Sequence, residues 1–166
     1  MNGLALRDGW VRYVTVVSQS NVADGWRDRR RDGGCVIDVP SGEIVASGMS
    51  MPHSPRWYRD KLWVLNSGTG EFRDVDLRQG RFEPIAFCPG YLRGLAFVGD
   101  YAVVTLFKLR DDVTFGGLSL DDQLRGHGAD VKCGLQVIDL RTGGSRIGCG
   151  SRGWSRSCTT RSSGRR

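Results

Sequence analysis

Apolar and polar residues alternate along the chain in short runs that end in polar turns. The strongest runs are 11–17, 61–65 and 101–106, which read VRYVTVV, KLWVL and YAVVTL. Each follows a weaker apolar segment and a turn that contains an Asp, at Asp8, Asp60 or Asp100. Short runs bounded by such turns are typical of antiparallel strands. The pattern therefore predicts three hairpins.

A second strand and turn follow each hairpin with the same spacing. An Asp lies four residues before a Gly in every case: Asp38 and Gly42, Asp76 and Gly80, Asp139 and Gly143. A carboxylate there can accept hydrogen bonds from turn amides, and glycine supplies the positive φ that such a turn needs. A fourth apolar run follows the first two turns, at 43–47 and 81–87. The units therefore hold four strands each.

Units of four short strands with a period of about 40 residues are typical of β-propeller blades. The sequence predicts an all-β fold, a partial β-propeller of about three blades at about 2–52, 53–90 and 91–143. The third blade carries an insertion at 110–132, expected to pack poorly and to form one or two helical turns near 118–124. Closed propellers usually have four to eight blades. Three blades thus indicate a fragment, or a protein that completes itself by association.

Residues 144–166 differ from the repeats. They contain six Arg, no acidic residue and no Leu, Val, Phe or Tyr, so we expect a disordered basic tail outside the fold. Gly, Ser, Arg, Cys and Trp dominate there, as they do when GC-rich DNA is read in a wrong frame. Reading 148–160 one base earlier can give an acidic, amphipathic peptide. We interpret the tail as out of frame, and the alternative is a genuine basic arm.

The net charge of +6 equals the number of Arg residues in 144–166, so the rest of the chain is neutral. A neutral body offers no face for nucleic acid. No apolar run approaches the roughly 18 residues of a membrane span, and the first residues do not resemble a secretory signal. We expect a cytoplasmic protein with no membrane partner and no specific nucleic-acid partner.

The strongest binding candidates lie at a blade boundary. His53 and Arg56 could present a base and an anion clamp to a central channel. The alternative is a Ser-Pro turn in which Arg56 pairs with an acid. Arg93 repeats this boundary position in the next unit and could line the same channel.

Weaker candidates lie in a turn and near the insertion. Asn66 and Ser67 begin a Gly-rich segment whose amides could bind an anion, or which simply forms a hairpin turn. Lys108 and Arg110 would add positive charge, although such cations are often only solvated.

The sequence offers few residues that could bind a metal or a cofactor. No pair of the five Cys has C-x-x-C spacing, and the chain has only two His, so we predict no metal site and no cofactor. The sequence favours a ligand-binding or protein-interaction module for an unknown small molecule or protein, incomplete and non-functional as this fragment. The alternative is a propeller enzyme acting on a small anionic substrate in the central channel.

Three motifs in order carry a family resemblance. They are MPHSPRW at 51–57, LWVLNSGTG at 62–70 and PGYLRGLAF at 89–97. Over residues 2–143 the chain resembles a family of uncharacterised bacterial proteins, termed conserved hypothetical proteins or a domain of unknown function. That family is similar to six-bladed β-propellers of the NHL/YWTD-like sort, and its members are longer at both ends. The resemblance implies this fold and no settled activity. One departure is FKLR at 107–110, where the family tends to have Ser-Lys-Pro-Arg.

Overall fold

The computed structural model describes residues 1–20, 22–108 and 117–148. Within these residues twelve strands form three antiparallel sheets of four strands each, with one short helix. The predicted all-β fold of about three four-stranded units is confirmed.

The first sheet pairs its strands in chain order: β1 Gly3–Arg7, β2 Trp10–Val16, β3 Gly34–Asp38 and β4 Ile44–Met49. Asp8 and Gly9 form the turn between β1 and β2, with φ of 53° and 83°. Positive φ at both positions is typical of the two-residue turn that matches strand twist.

The second sheet has the same order: β5 Pro52–Tyr58, β6 Lys61–Asn66, β7 Glu71–Asp76 and β8 Arg81–Phe87. Its first turn places two non-glycine residues, Arg59 and Asp60, at φ of 51° and 58°. The side chain of Arg59 forms a salt bridge with Asp100 in the corresponding turn of the third sheet.

The third sheet continues beyond the predicted boundary at Gly143. Its strands are β9 Tyr91–Val98, β10 Tyr101–Phe107, β11 Gly134–Asp139 and β12 Ser145–Gly148. The expectation that the tail begins at residue 144 was therefore wrong, because β12 completes this sheet by pairing with β11. An edge strand needs backbone hydrogen bonds more than apolar side chains, so its composition did not reveal it. Residues 149–166 of the predicted tail lie outside the described residues.

The described part of the insertion packs against the sheets, contrary to expectation. It contains the helix α1, Ser119–Gly126, of about two turns. Leu118 and Leu120 are buried in a cluster with Met51 and Tyr91. The Leu120 amide also donates to the Gly68 carbonyl over 2.8 Å. Residues 110–116 lie outside the described residues, and no described helix has the length and apolar character needed to cross a bilayer.

The repeated Asp–Gly turn forms as predicted. In the third sheet Asp139 Oδ1 accepts from the Arg141 amide at 2.8 Å, and the Gly143 amide donates to the Asp139 carbonyl at 2.8 Å. Gly143 has φ of 69°, and the equivalent Gly42 and Gly80 have φ of 73° and 63°. Glycine is favoured at these positions because residues with a side chain are strained there.

The three sheets pack side by side, with their first strands adjacent. Strand β1 lies beside β5, and β5 lies beside β9. Strand β6 contributes to both inter-sheet cores: Leu62 and Val64 belong to the cluster with the first sheet, whereas Trp63 and Leu65 belong to the cluster with the third. Alternate side chains of a strand point to opposite faces, which explains why β6 is apolar from Leu62 to Leu65.

Candidate functional site

Strand β5 begins with unusual backbone geometry. Met51 and Ser54, on either side of the Pro52–His53 pair, have φ of 51° and 48°. Pairing with β6 is also irregular between His53 and Arg56. A non-glycine residue with a positive φ lowers the stability of the fold by about 1–3 kcal/mol, and such residues are found disproportionately at functional sites. The local fold thus holds His53 in a strained segment.

A cleft of about 520 Å³ opens beside this segment. Residues from the second and third sheets, from the segment before β1 and from the 17–33 loop line it, among them Asn2, Ser18, Trp26, Met51, His53 and Arg93. Its volume lies within the range of small-molecule sites. The structure therefore brings together His53 and Arg93, two of the candidates that the sequence placed at successive blade boundaries.

His53 is only 6% exposed, and its Nε2 lies 3.3 Å from the hydroxyl oxygen of the buried Tyr91. Burial, and next the positive charge of Arg93, lower the pKa of His53 to about 4. Burial raises the pKa of Tyr91 to about 12. Both side chains are therefore neutral at pH 7.

Arg93 is the positively charged side chain among the residues that line the cleft. Its side chain is exposed, and its guanidinium lies 5.3 Å from the centre of the Tyr91 ring. The Arg93 carbonyl accepts a hydrogen bond from Ser54 Oγ over 2.5 Å, which ties β9 to the strained start of β5. Among the described residues, no carboxylate forms a salt bridge with Arg93. The guanidinium is thus available to an anion.

The other predicted cations lie elsewhere. Arg56 is exposed, donates to the Pro55 carbonyl over 2.9 Å and is not among the residues that line the cleft. Lys108 is exposed at the end of β10. Arg110 lies outside the described residues.

Asn66 and Ser67 are buried, and their polar atoms contact the protein itself. Asn66 Oδ1 accepts from the Ser50 amide at 2.7 Å, and Ser67 Oγ donates to the Leu92 carbonyl at 2.6 Å. The Thr69 amide closes the turn by donating to the Asn66 carbonyl over 3.1 Å. These contacts favour the hairpin-turn interpretation over a ligand loop.

Sequence reasoning missed Trp26 and Tyr91 as members of this site. Trp26 lies in the Arg- and Asp-rich segment 24–32, and it packs against the cluster that contains Met51 and Tyr91. One available signal was a large aromatic residue in an otherwise polar stretch, which is seldom fully solvated.

The family profile described as "Domain of unknown function (DUF4915)" matches residues 1–147. The chain belongs to the DUF4915 family. The match spans all three sheets and the residues named above in the cleft, and it confirms the resemblance to a family of unknown function. A comparison of the DUF4915 chain with curated proteins gives no match.

One solved structure is similar to the DUF4915 chain. It is a chain of the S. cerevisiae assembly described as a Dbp5 variant bound to Nup159, a Gle1 variant, IP6 and ADP. The two chains are 12% identical with a TM-score of 0.48. The alignment covers 90% of the DUF4915 chain and 33% of the other, so the DUF4915 chain spans about a third of that protein's length.

Proposed function

We propose that this DUF4915 chain is part of a cytoplasmic bacterial β-propeller and acts as a ligand-binding module. The cleft beside His53 and Arg93 would bind a small molecule that carries a carboxylate or phosphate. The observation that carries this proposal is an exposed Arg93 beside a buried, neutral His53 in one cleft.

Sheet order and packing support the propeller arrangement. Each sheet is an antiparallel meander of four strands, and the first strands of successive sheets are neighbours. In a propeller the first strand of every blade lies nearest the central axis. The cleft lies at the start of β5 and β9, where a central channel would open.

The chemistry of the lining supports an anionic ligand with an apolar part. Arg93 can form two parallel hydrogen bonds to a carboxylate or phosphate. Neutral His53, whose Nε2 lies 3.3 Å from the Tyr91 hydroxyl oxygen, adds no second charge beside Arg93. Trp26 and Met51 offer apolar surface on the same cleft. A ligand with one acidic group and a hydrophobic body matches these groups.

The titration of His53 and Tyr91 favours binding over catalysis. A general acid or base works best when its pKa lies near the working pH. Burial holds the pKa of His53 at about 4 and that of Tyr91 at about 12, both far from neutrality.

Binding can be tested on this chain because residues within 1–93 line the cleft. Small aromatic and aliphatic carboxylates and phosphates would be titrated into the protein by calorimetry. We expect at least one to bind, and Arg93→Gln to weaken it tenfold or more. Arg56→Gln removes the same charge from an exposed residue outside the cleft and should leave the affinity unchanged. Equal losses in both variants, or no binding by any compound, would contradict the proposal.

The Arg-rich residues 149–166 have no place in this function. We propose that they are read from a shifted frame, because their composition departs from the apolar pattern of the units before them. The DNA around codon 148 tests this. A second frame that continues the strand pattern would support the shift, and stop codons in the other frames would contradict it.

A further inference from the structure

The first and third sheets each leave one apolar face without a neighbouring sheet in the described structure. On the first sheet Leu6 is 51% exposed and Val11 is 40% exposed. On the third sheet Val98 is 67% exposed and Leu135 is 48% exposed. Faces of this kind mark interaction sites or aggregation liabilities.

The two inter-sheet contacts inside the molecule follow one rule. In each contact, the later sheet contributes the residue that lies two positions before its first hairpin turn. This residue packs on the residue of the earlier sheet that lies directly before the corresponding turn. The Arg7 guanidinium lies 4.4 Å from the ring centre of Trp57, and Tyr58 stacks on Phe97 with ring centres 4.4 Å apart. The same packing register is therefore used twice.

The exposed residues Val98 and Leu6 occupy the two positions of this contact, but neither has a partner sheet in the described structure. Val98 lies directly before its turn, like Arg7 and Tyr58. Leu6 lies two positions before its turn, like Trp57 and Phe97. A third contact of the same register would join a third sheet to a first sheet through these two side chains.

A second residue of the third sheet fits the same register. Leu135 pairs with Thr105, five positions after Asp100, just as Phe72 pairs with Leu65, five positions after Asp60. The Phe72 ring centre lies 6.4 Å from that of Phe97 in the internal interface. Leu135 would contact Leu6 in the corresponding way.

We propose that a second copy of this chain covers both faces. The third sheet of each copy packs on the first sheet of the other copy. The pair therefore has two equivalent contacts, which are related by a two-fold axis. The pair then contains six sheets, which lies within the four to eight of closed propellers. Head-to-tail contacts that close in this way leave no open face, whereas contacts that fail to close give filaments. The inference rests on the proposed propeller arrangement and is independent of the ligand in the cleft.

Sedimentation equilibrium of the full chain over a range of concentrations tests this. We expect a limiting mass of two chains of 18.3 kDa. Leu6→Asp and Val98→Asp should each raise the dissociation constant tenfold or more, since each places a charge in both contacts of the pair. Val22→Asp introduces the same charge at a residue that is 73% exposed in the 17–33 loop, and it should have no effect.

Mixing the two interface variants provides a sharper test. In an equimolar mixture, a pair made of one Leu6→Asp chain and one Val98→Asp chain has one contact in which both residues are unaltered. The mixture should therefore associate more tightly than either variant alone. A face that packed against itself would not show this recovery. Circular dichroism checks that each variant folds, and Leu135→Asp replaces Val98→Asp if that variant does not.

Three results would overturn the proposal. The chain could remain a single copy at all concentrations, as expected if another polypeptide supplies the missing sheets. It could form a growing series of masses, as in an open filament. Val22→Asp could weaken association as much as the interface variants do.

Discussion

The candidate residues divide by what their polar atoms already contact. Asn66 and Ser67 are buried and bonded to the backbone of neighbouring segments, so a ligand would have to displace those bonds. Arg93 extends into a cleft without a salt bridge to the described residues. His53 lies between these cases, because it is buried yet lines the cleft. Contact at the level of single atoms therefore separates structural polar residues from binding candidates.

His53 should make the fold sensitive to acid. In the unfolded chain it takes up a proton below about pH 6.5, but in the buried site its pKa is about 4. Its contribution to stability is therefore complete above pH 6.5, falls as the pH drops towards 4 and does not fall further below that. Between pH 7 and pH 5 the loss should be about 2 kcal/mol.

Urea unfolding of the protein and of His53→Gln at both pH values measures this loss. The variant should lose about 2 kcal/mol less stability than the protein between pH 7 and pH 5. His127→Gln removes the other histidine, which stacks on Phe87, and serves as the matched control. An unchanged pH dependence in His53→Gln would show that His53 is not buried in the neutral form.

At the scale of elements, a strand that is buried on both faces is easier to predict from the sequence than a strand at the edge of a sheet. Strand β6 packs between two sheets, and four of its residues, Leu62 to Leu65, are almost fully buried. Strand β12 is the edge of the third sheet, and Ser145 within it accepts a hydrogen bond from buried Gln136 over 2.9 Å. A central strand is thus visible as an apolar run, whereas an edge strand can be polar.

Strand β12 should be essential to the third sheet. A chain cut after Gly143 loses four pairs with β11 and uncovers Gln136, which is 1% exposed. Since each net hydrogen bond contributes about 0.5–1.5 kcal/mol, we expect a loss of about 2 kcal/mol. That corresponds to about 4–8 °C in melting temperature for a chain of this size.

A chain cut after Gly148 keeps β12 and serves as the matched control. The comparison isolates residues 144–148, because both chains lack everything beyond Gly148. Equal melting temperatures for the two cut chains would show that β12 contributes nothing to the fold.

At the scale of the whole molecule, charge and packing are distributed separately. The sheets hold nearly equal numbers of acidic and basic residues, and residues 149–166 carry five Arg and no acid. The apolar free faces lie on the first and third sheets. Nonspecific attraction to polyanions and association between copies should therefore depend on different parts of the chain.

Weak DNA binding should disappear when the chain is cut after Gly148. Five Arg can neutralise up to about five phosphates, so log affinity of the full chain should fall with log salt with a slope of up to about −4.5. The cut chain is nearly neutral and should show no salt-dependent binding. Fluorescence anisotropy with a labelled duplex at several salt concentrations measures both. The same slope in the cut chain would indicate a basic face on the sheets.

Local interactions explain what the sequence by itself determined. The turn of Asp139 and Gly143 depends on hydrogen bonds within five residues, and the hairpins depend on alternation along neighbouring strands. Both leave a signature in consecutive residues, and both repeat, so three four-stranded units could be predicted from the sequence.

Only the tertiary structure decided the cleft, the edge strand and the two free faces. Arg93 and His53 are 40 residues apart, and Trp26 reaches them from a third segment. Strand β12 forms because the backbone of β11 has unpaired groups beside it, whatever side chains it carries. Exposure of Leu6 and Val98 depends on which sheets are present to cover them. Each of these outcomes is set by contacts between distant parts of the chain, which the spacing of neighbouring residues does not encode.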